Sequence, residues 1–542
     1  MTAILIANIG TSDIAVKIDD YYIPVGFDRN EPNLDESGLT EDEKTVWDAQ
    51  LRQSYIISEL CPELGVTVTE IRNGQKSFSF RELTQKLLAA YENDQTGTWH
   101  DRIRPGRIWG VLKTATQDQK FQVKEAYIFV TDQPEFILDP KSGKQKFNQQ
   151  GYPSDSIHLF SILKKWFQQE MPDLELIRQV IPENIPAVDR DGLLSYYYQF
   201  FFQHISSEQT ILISIKGGTN QMQLALTMQA IASSVTNQLF INPQLSPKNI
   251  LRGQASECDF TSYWRYMRSQ KYQDAKIILE SRWDFRGAIS ILDGWLTTLK
   301  FLKPYINDPK LSASNELLSR IVKTLEIGDY CLNLDNQTAK DFLANNPQLA
   351  SKLSKKLVKQ VSNYDSLLNL YSQCYIYYNL DQIANFLSRM SSFYEGVLEE
   401  IAKKLEIYRD FPNRTNRFEK RSFIGGKVRL HNKISEIEAW EEILLLLKSF
   451  DYWCDRRNEL IHHGKGMSKE RMKLLYQEVK VENPNICPPD RIIEHMAKIL
   501  TSNLEIVKPE YLHKFVRTST HHYIYSEVKD WVIDKLLKEG LQ

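Results

Sequence analysis

The run Arg456-Arg457-Asn458-Glu459-Leu460-Ile461-His462-His463-Gly464 sets a permanent cation, an amide and an imidazole within two helical turns. Asn458 and His462 are four apart and would share a helix face. A guanidinium can stabilise a phosphorane-like transition state. An imidazole can take or give the proton of a ribose 2′-OH near neutral pH. Arg457, Asn458 and His462 therefore suit RNA cleavage without a metal. The spacing alone is cheap, because Arg517 and His522 repeat it. Basic groups near a helix C-terminus are also favourable for their own sake. No HExxH, no GxSxG and no carboxylate cluster with metal-ligand spacing accompanies them, so neither a metal nor a cofactor is expected.

A second set lies in three turns, each of which follows an apolar run. They are Asn8-Ile9-Gly10-Thr11-Ser12, Thr131-Asp132-Gln133 and Lys216-Gly217-Gly218-Thr219-Asn220. Glycines let backbone approach a ligand closely, and the N–H groups of a helix N-terminus bind phosphate. Thr219 or Asn220 would serve equally well as a plain N-cap. In a doubly wound sheet the carboxyl ends of the strands share one edge, where ligands bind. Asn8, Gly10, Thr11, Ser12, Thr131, Lys216, Gly217, Gly218, Thr219 and Asn220 would then converge on a site suited to a nucleotide or phosphodiester. GxGxxG and GxxxxGK[ST] are both missing, which disfavours dinucleotide cofactors and Walker-type ATP hydrolysis. A third feature is the stretch from Ile401 to Leu430, with nine Lys/Arg against three Asp/Glu. It reads as a polynucleotide groove or as a solvated loop.

These residues need elements to hold them. Ala3–Ile9, Ala126–Val130, Leu174–Ile181, Thr210–Ile215 and Leu239–Ile241 read as buried strands. Ser156–Gln169, Gly192–Ile205 and Gln221–Val235 read as helices between them, so a parallel, doubly wound sheet is expected. Asp28–Asp42 and Pro140–Pro153 read as surface loops. Beyond Asp259 strand signals nearly vanish. Tyr272, Ala275 and Leu279 recur as Phe285, Ala288 and Leu292, a short repeat of two amphipathic helices. Asn333–Asn346 reads as a polar hinge, Arg409–Leu430 as a loop and Glu436–His463 as one long helix ended by Gly464. His521-His522, before a strand-like Tyr523-Ile524-Tyr525, reads as structural. The expected domains are residues 1–257, 258–346 as a helical connector, and 347–542.

Composition narrows the class. The 542 residues are 42% hydrophobic and 25% charged, as in soluble globular proteins. Lys+Arg 67 against Asp+Glu 69 gives a net charge of −2, so any polyanion site must be local. Six scattered cysteines without a CxxC pair read as reduced thiols in a cytoplasmic protein. The first residues lack the pattern of a signal peptide, and no apolar run reaches membrane-spanning length.

These turns and the Arg457 run resemble a known family. Asn8-Ile9-Gly10-Thr11-Ser12 and Ile215-Lys216-Gly217-Gly218-Thr219-Asn220 resemble the ligand turns of a CARF domain, the CRISPR-associated Rossmann fold. Arg457-Asn458-Glu459-Leu460-Ile461-His462 matches the Arg-(Asn/His/Asp)-x-x-x-His hallmark of HEPN ribonucleases. The resemblance implies an α/β Rossmann-like CARF domain, a helical connector and an all-helical HEPN domain. It further implies an accessory effector of type III CRISPR immunity. In such homodimers a cyclic oligoadenylate, as allosteric activator, binds across paired CARF domains and switches on single-stranded RNA cleavage by paired HEPN domains. The Arg and His of both chains would meet there, which suits Arg457 and His462 lying about 140° apart on an ideal helix. A tetra-adenylate ring is expected in preference to a hexa-adenylate. Some relatives also cleave their activator, but no single residue carries that property over to this chain. The alternative is a CARF-type ligand-binding regulator or scaffold whose helical domain is not catalytic.

Overall fold

The computed structural model describes the chain except residues 27–37, 71–75, 118–120, 139–141, 150, 245, 411–415, 431–433, 464–465, 508–515, 517–520 and 541–542. Side chains are also left undescribed at 49–51, 117, 410, 434–436 and 458–463. The chain divides into two compact units. One is Met1–Arg268 with Gly294–Asn315, and the other is Ser269–Asp293 with Glu316–Gln542.

All five expected strands form in the first unit. They are β1 (Thr2–Asn8), β2 (Gln122–Thr131), β3 (Glu175–Ile181), β4 (Thr210–Ser214) and β5 (Asn237–Pro243). They pair in parallel, and a sixth strand, β6 (Cys258–Thr261), closes the β5 edge antiparallel. The order is β3-β2-β1-β4-β5-β6. Chain direction across the sheet reverses between β1 and β4, which is the topological switch point of a doubly wound fold.

Four helices that concern the sheet are α1 (Gly106–Gln117), α2 (Ile157–Glu170), α3 (Arg190–His204) and α4 (Asn220–Ala232). Leu193, Tyr197, Phe200 and Phe201 of α3 share a core with Met222, Ala225 and Leu226 of α4 and with Ile6, Phe129, Ile211 and Ile213 of the sheet. α1 and α2 also pack on the strands. β4 is buried at all five positions, as a central strand covered on both faces must be.

The strands outside this sheet were not legible. Ala15–Ile18 pairs with Tyr21–Pro24 and with Ile103–Arg104. Val68–Glu70 pairs with Lys76–Phe78. Within the expected 140–153 loop, Gln145–Phe147 forms a hairpin with Phe136–Leu138. Most of the other expected loop, 28–42, lies outside the described residues. Its end opens the helix Glu41–Trp47, capped by Thr40 and Glu43 in a reciprocal box.

Among the described residues the second unit is helical throughout. The repeat sits in α5 (Trp264–Arg282) and α6 (Phe285–Leu302), and its six residues, Tyr272 to Leu292, are all buried. Residues 258–346 are not a separate body. β6 belongs to the sheet, and the rest is divided between the two units. The polar Asn333–Asn346 segment holds the helix Asn336–Asn345, capped by Asp335. Tyr523-Ile524-Tyr525 opens the helix Tyr523–Gly540 rather than a strand. All three side chains are buried, so their apolarity reflects a helix packed on several sides.

Four further helices make up the Arg457 region: α7 (Ile383–Lys404), α8 (Arg417–Val428) and, in place of one long helix, α9 (Ile434–Lys448) followed by α10 (Asp451–His463). The expected end at Gly464 lies outside the described residues. Among the described residues no helix is long and apolar enough to cross a membrane. The six cysteines are free thiols, and all but Cys258 are buried.

Candidate functional site

The turns after β1 and β4 meet at the switch point. A Cβ on Gly10 would stand 2.9 Å from the Gly218 nitrogen, so the two backbones touch there and exclude a side chain. Gly217 has φ +111°, and a Cβ on it would run into the Asn8 carbonyl. Gly218 has φ +68° and lies over Met222 and Asn8. Only glycine takes such backbone without strain. Thr219 is the N-cap of α4, with its Oγ1 accepting from the Met222 N–H at 3.2 Å. It also donates to the Ala187 carbonyl at 2.5 Å. Asn220 is then the first helical residue and is exposed. The rim thus joins glycine backbone to a helix N-terminus, the arrangement that receives anionic oxygen.

Around this contact the expected residues divide into two roles. Gly10, Thr11 and Ser12 are half-buried and border the turn, as do Lys216 and Thr219. Asn8 is buried, and its Oδ1 accepts from the Tyr197 hydroxyl at 2.6 Å. Its Nδ2 has no acceptor among the described residues. Thr131 belongs to the scaffold. Its N–H donates to Ser156 Oγ at 3.1 Å, and its Oγ1 accepts from the Ser156 N–H at 3.2 Å. Its hydroxyl is committed to holding the β2 end against the start of α2.

Sequence reasoning missed the groups that fix these turns. The Gly10 N–H donates to Asp13 Oδ2 at 2.8 Å, and the Asp13 N–H returns to the Gly10 carbonyl at 3.0 Å. Arg107, near the start of α1, ion-pairs Asp13 at 3.4 Å and donates to Ser12. Asp13 stands three residues after Gly10, near enough in sequence for its carboxylate to reach back to that N–H. Nothing near Arg107 in the sequence marks its partner. At the β2 end, Arg81 bridges Asp132 and Asp155, each at 2.8 Å. Burial pushes the Asp155 carboxyl up to about 6, against the Gln133 N–H, Thr131 and Arg81, which favour its charge.

In the second unit α10 carries Arg457, Asn458 and His462 on one helix. Trp453 and Cys454 are fully buried, and the Trp453 indole donates to the Cys487 carbonyl at 2.8 Å. Arg457 comes one turn after Trp453, so it continues the inward stripe and is itself half-buried. The side chains of Asn458 and His462 lie outside the described residues.

The second Arg/His spacing, Arg517 and His522, is described only at its histidine. Arg517 lies outside the described residues. His522 is buried, with its ring 5.0 Å from Trp283 and 4.9 Å from Tyr375. Burial, aided by Lys529, lowers its pKa to about 4, so it is neutral at pH 7.

The basic stretch from Ile401 to Leu430 is not a loop of unspent cations. Arg417 to Val428 is α8, capped by Asn416, whose Oδ1 accepts from the Glu419 N–H at 3.0 Å. Arg421 binds Asp451 through both carboxylate oxygens at 2.8 and 2.6 Å and donates to the Tyr394 hydroxyl. Arg417 pairs with Asp455 and reaches Asp451 at 3.6 Å. Lys403 pairs with Glu400, Lys420 with Glu395 and Arg429 with Glu441. Much of the apparent excess charge therefore ties helices together, which weakens the polynucleotide-groove reading.

No protein-family model matches the sequence, nor does any curated protein. Among solved structures the chain is similar to Enterococcus italicus Csm6 bound to cyclic hexa-2'-fluoro-hexa-dAMP. The identity is 12%, the TM-score is 0.44, and the match covers 80% of this chain and 95% of that one. A likeness this distant assigns nothing to individual residues. The chain itself shows a mixed α/β unit built on an N-terminal sheet, followed by a largely helical region.

Proposed function

We propose that the chain is a ribonuclease switched by a cyclic oligoadenylate. The observation that carries this reading is the contact of the Gly10 and Gly218 turns at the switch point, beside the capped N-terminus of α4. A phosphodiester ring offers anionic oxygens to backbone N–H groups and to the Lys216 ammonium. Its symmetry suits the same turns from two chains, so a homodimer holding one ring is part of the proposal. Tetra-adenylate is the ring expected first.

Cleavage is assigned to Arg457, Asn458 and His462 of α10. In the proposed reaction the 2′-oxygen attacks the adjacent phosphorus and the P–O5′ bond breaks. The 2′-OH proton passes to His462 of one chain. The leaving 5′-oxygen takes a proton from the imidazolium of the other chain's His462. Arg457 stabilises the extra negative charge on phosphorus. The products are a 2′,3′-cyclic phosphate and a 5′-OH, and no metal ion takes part.

The test compares wild-type, Gly218→Asp and His462→Ala chains for ring binding and for ring-dependent RNA cleavage. Gly218→Asp should lose both. His462→Ala should bind the ring normally and cleave nothing. Ring binding without cleavage by the wild-type chain would favour a regulator or scaffold instead.

A further inference from the structure

Residues 132–156 connect β2 to α2 and leave the sheet at the carboxyl ends of its strands. The Gly10 and Gly218 turns lie on that same edge. β2 is the neighbour of β1 there, and the Ile9 N–H donates to the Phe129 carbonyl at 3.2 Å. The connection is pinned at its base. Asp155, 1% exposed, accepts from the Gln133 N–H at 2.7 Å and from Arg81 at 2.8 Å. One carboxylate thus ties the start of the connection to its end. The Asn148 N–H donates to the Glu135 carbonyl at 2.8 Å, and its Nδ2 donates to the Pro134 carbonyl at 3.1 Å. On this base stands the hairpin of Phe136–Leu138 and Gln145–Phe147. Phe136 is directly opposite Phe147, and Leu138 opposite Gln145, so these side chains share one face. Phe136, Leu138 and Phe147 are 53%, 68% and 42% exposed. The Phe136 and Phe147 rings meet edge to face at 6.1 Å, and Phe147 meets Tyr152 at 6.1 Å. The Arg81 guanidinium lies 4.4 Å over Tyr152 and pairs with Asp132 at 2.8 Å. A row of rings therefore runs from the hairpin to the residue that follows β2.

We propose that this hairpin is a nucleobase-binding arm beside the glycine turns, with Phe136 and Phe147 offering aromatic surface to purine bases. The identity of its ligand as the ring rests on the proposed function. Gly10, Thr11, Ser12 and Lys216 to Asn220 include no aromatic side chain. They suit phosphate and leave the bases without a partner, which the arm supplies. Every base has a π-face, so stacking on aromatic side chains is a general way to hold single-stranded nucleotides. Charge agrees with this occupant. From Phe136 to Phe147 the sequence has Lys141, Lys144 and Lys146 against Asp139. Lys144 and Lys146 are exposed. Lys146 is opposite Ile137 on the other face, but the strands of a ribbon are only about 5 Å apart, so a lysine stem reaches past its edge. An apolar peptide would gain nothing from these cations. A membrane surface would meet three apolar side chains, far fewer than an amphipathic helix inserts.

The experiment is calorimetric titration of the full chain with cyclic tetra-adenylate and with linear tetra-adenylate, with a thermal melt of every variant. Phe136→Ala and Phe147→Ala, both at exposed positions, should leave the melting curve in place. Each should weaken both ligands about 10-fold, and the double variant about 100-fold. Phe136→Trp should keep wild-type affinity, whereas Phe136→Leu, equally apolar, should not. Lys144→Ala should flatten the salt dependence of binding. A double alanine variant that binds both ligands as wild type does overturns the inference. If the ring still drives RNA cleavage in that variant, the proposed function survives. If the variants lose the linear strand while wild type shows no ring-stimulated cleavage, the arm stands and the proposed function fails. A wild-type chain that binds neither ligand overturns both. Variants that sediment differently from wild type at unchanged affinity would make the hairpin a contact between copies, which also overturns the inference.

Discussion

Gly218 sits in the left-handed region beside the proposed phosphate rim. Its positive φ of +68° makes a side chain strained, while the nearest neighbour of an added Cβ is the flexible end of Met222, which can move aside. An aspartate there adds a negative charge beside the N–H groups that would receive phosphate. Ring affinity should fall more than about 10-fold, with a stability cost of about 1–3 kcal/mol. Calorimetric titration and a thermal melt check both numbers. His522 supplies a pH prediction. Its folded pKa is about 4 against an ordinary 6.5, so the unfolded chain binds the proton more tightly. This contribution to stability is present above pH 6.5 and is lost as pH falls toward 4, on the order of 3 kcal/mol in all. In urea titrations between pH 7 and 4, His522→Phe should flatten that dependence. An unchanged slope would mean that His522 is not the responsible group. Local turn chemistry made Gly10, Gly217, Gly218 and Thr219 legible in sequence. The partners that commit Thr131 and Asp13 are 25 and 94 residues away, at Ser156 and Arg107, and no local pattern reports such distances.

At the scale of elements, buried strands were the easiest to recognise. A short, mostly apolar run closed by turn residues is too short for a core helix and too apolar for a surface loop. Helix boundaries were harder. Glu436–His463 contains neither Pro nor Gly, yet α9 ends at Lys448. Ser449 turns its hydroxyl to the Leu446 carbonyl at 2.6 Å, and its own carbonyl accepts from the Cys487 N–H at 3.0 Å. Side-chain competition and a tertiary bond thus divide a periodic run. Gly425 and Gly426 suggested a loop, but the Asn416 cap and tertiary ion pairs hold α8 across them. Asp451, the first residue of α10, receives Arg421 and sits within reach of Arg417. Arg421→Ala would leave Asp451 with a weakened cationic environment and should cost about 2 kcal/mol, less than a fully buried pair because both side chains retain some exposure. Since α10 carries Arg457, RNA cleavage should fall while ring binding in the other unit stays normal. A thermal melt, a turnover assay and a binding titration on the same preparation test this. Normal cleavage would show that α10 is held in place without the pair.

At the scale of the whole molecule, the change from alternating strands and helices to helices alone was plain in the sequence. The exact division was not. β6 pairs antiparallel at the sheet edge, and its four residues carry too little apolar pattern to announce a strand. The residues expected to form a separate connector are shared between the two units. If the proposed function holds, binding in one unit changes activity in the other. Moving a resting population from 1:99 to 99:1 takes about 5.5 kcal/mol of differential binding. A dimer joining one wild-type and one His462→Ala chain should therefore bind a ring normally but cleave poorly, because each proposed reaction needs both imidazoles. Full activity in that mixed dimer would place all the chemistry within one chain. The most direct test is a gel assay of single-stranded RNA cleavage with and without cyclic oligoadenylate, in EDTA, with the product ends identified. The account predicts cleavage only when the ring is present, 2′,3′-cyclic phosphate and 5′-OH ends, and no cleavage by His462→Ala. Cleavage indifferent to the ring, 5′-phosphate ends or full activity in His462→Ala would contradict it.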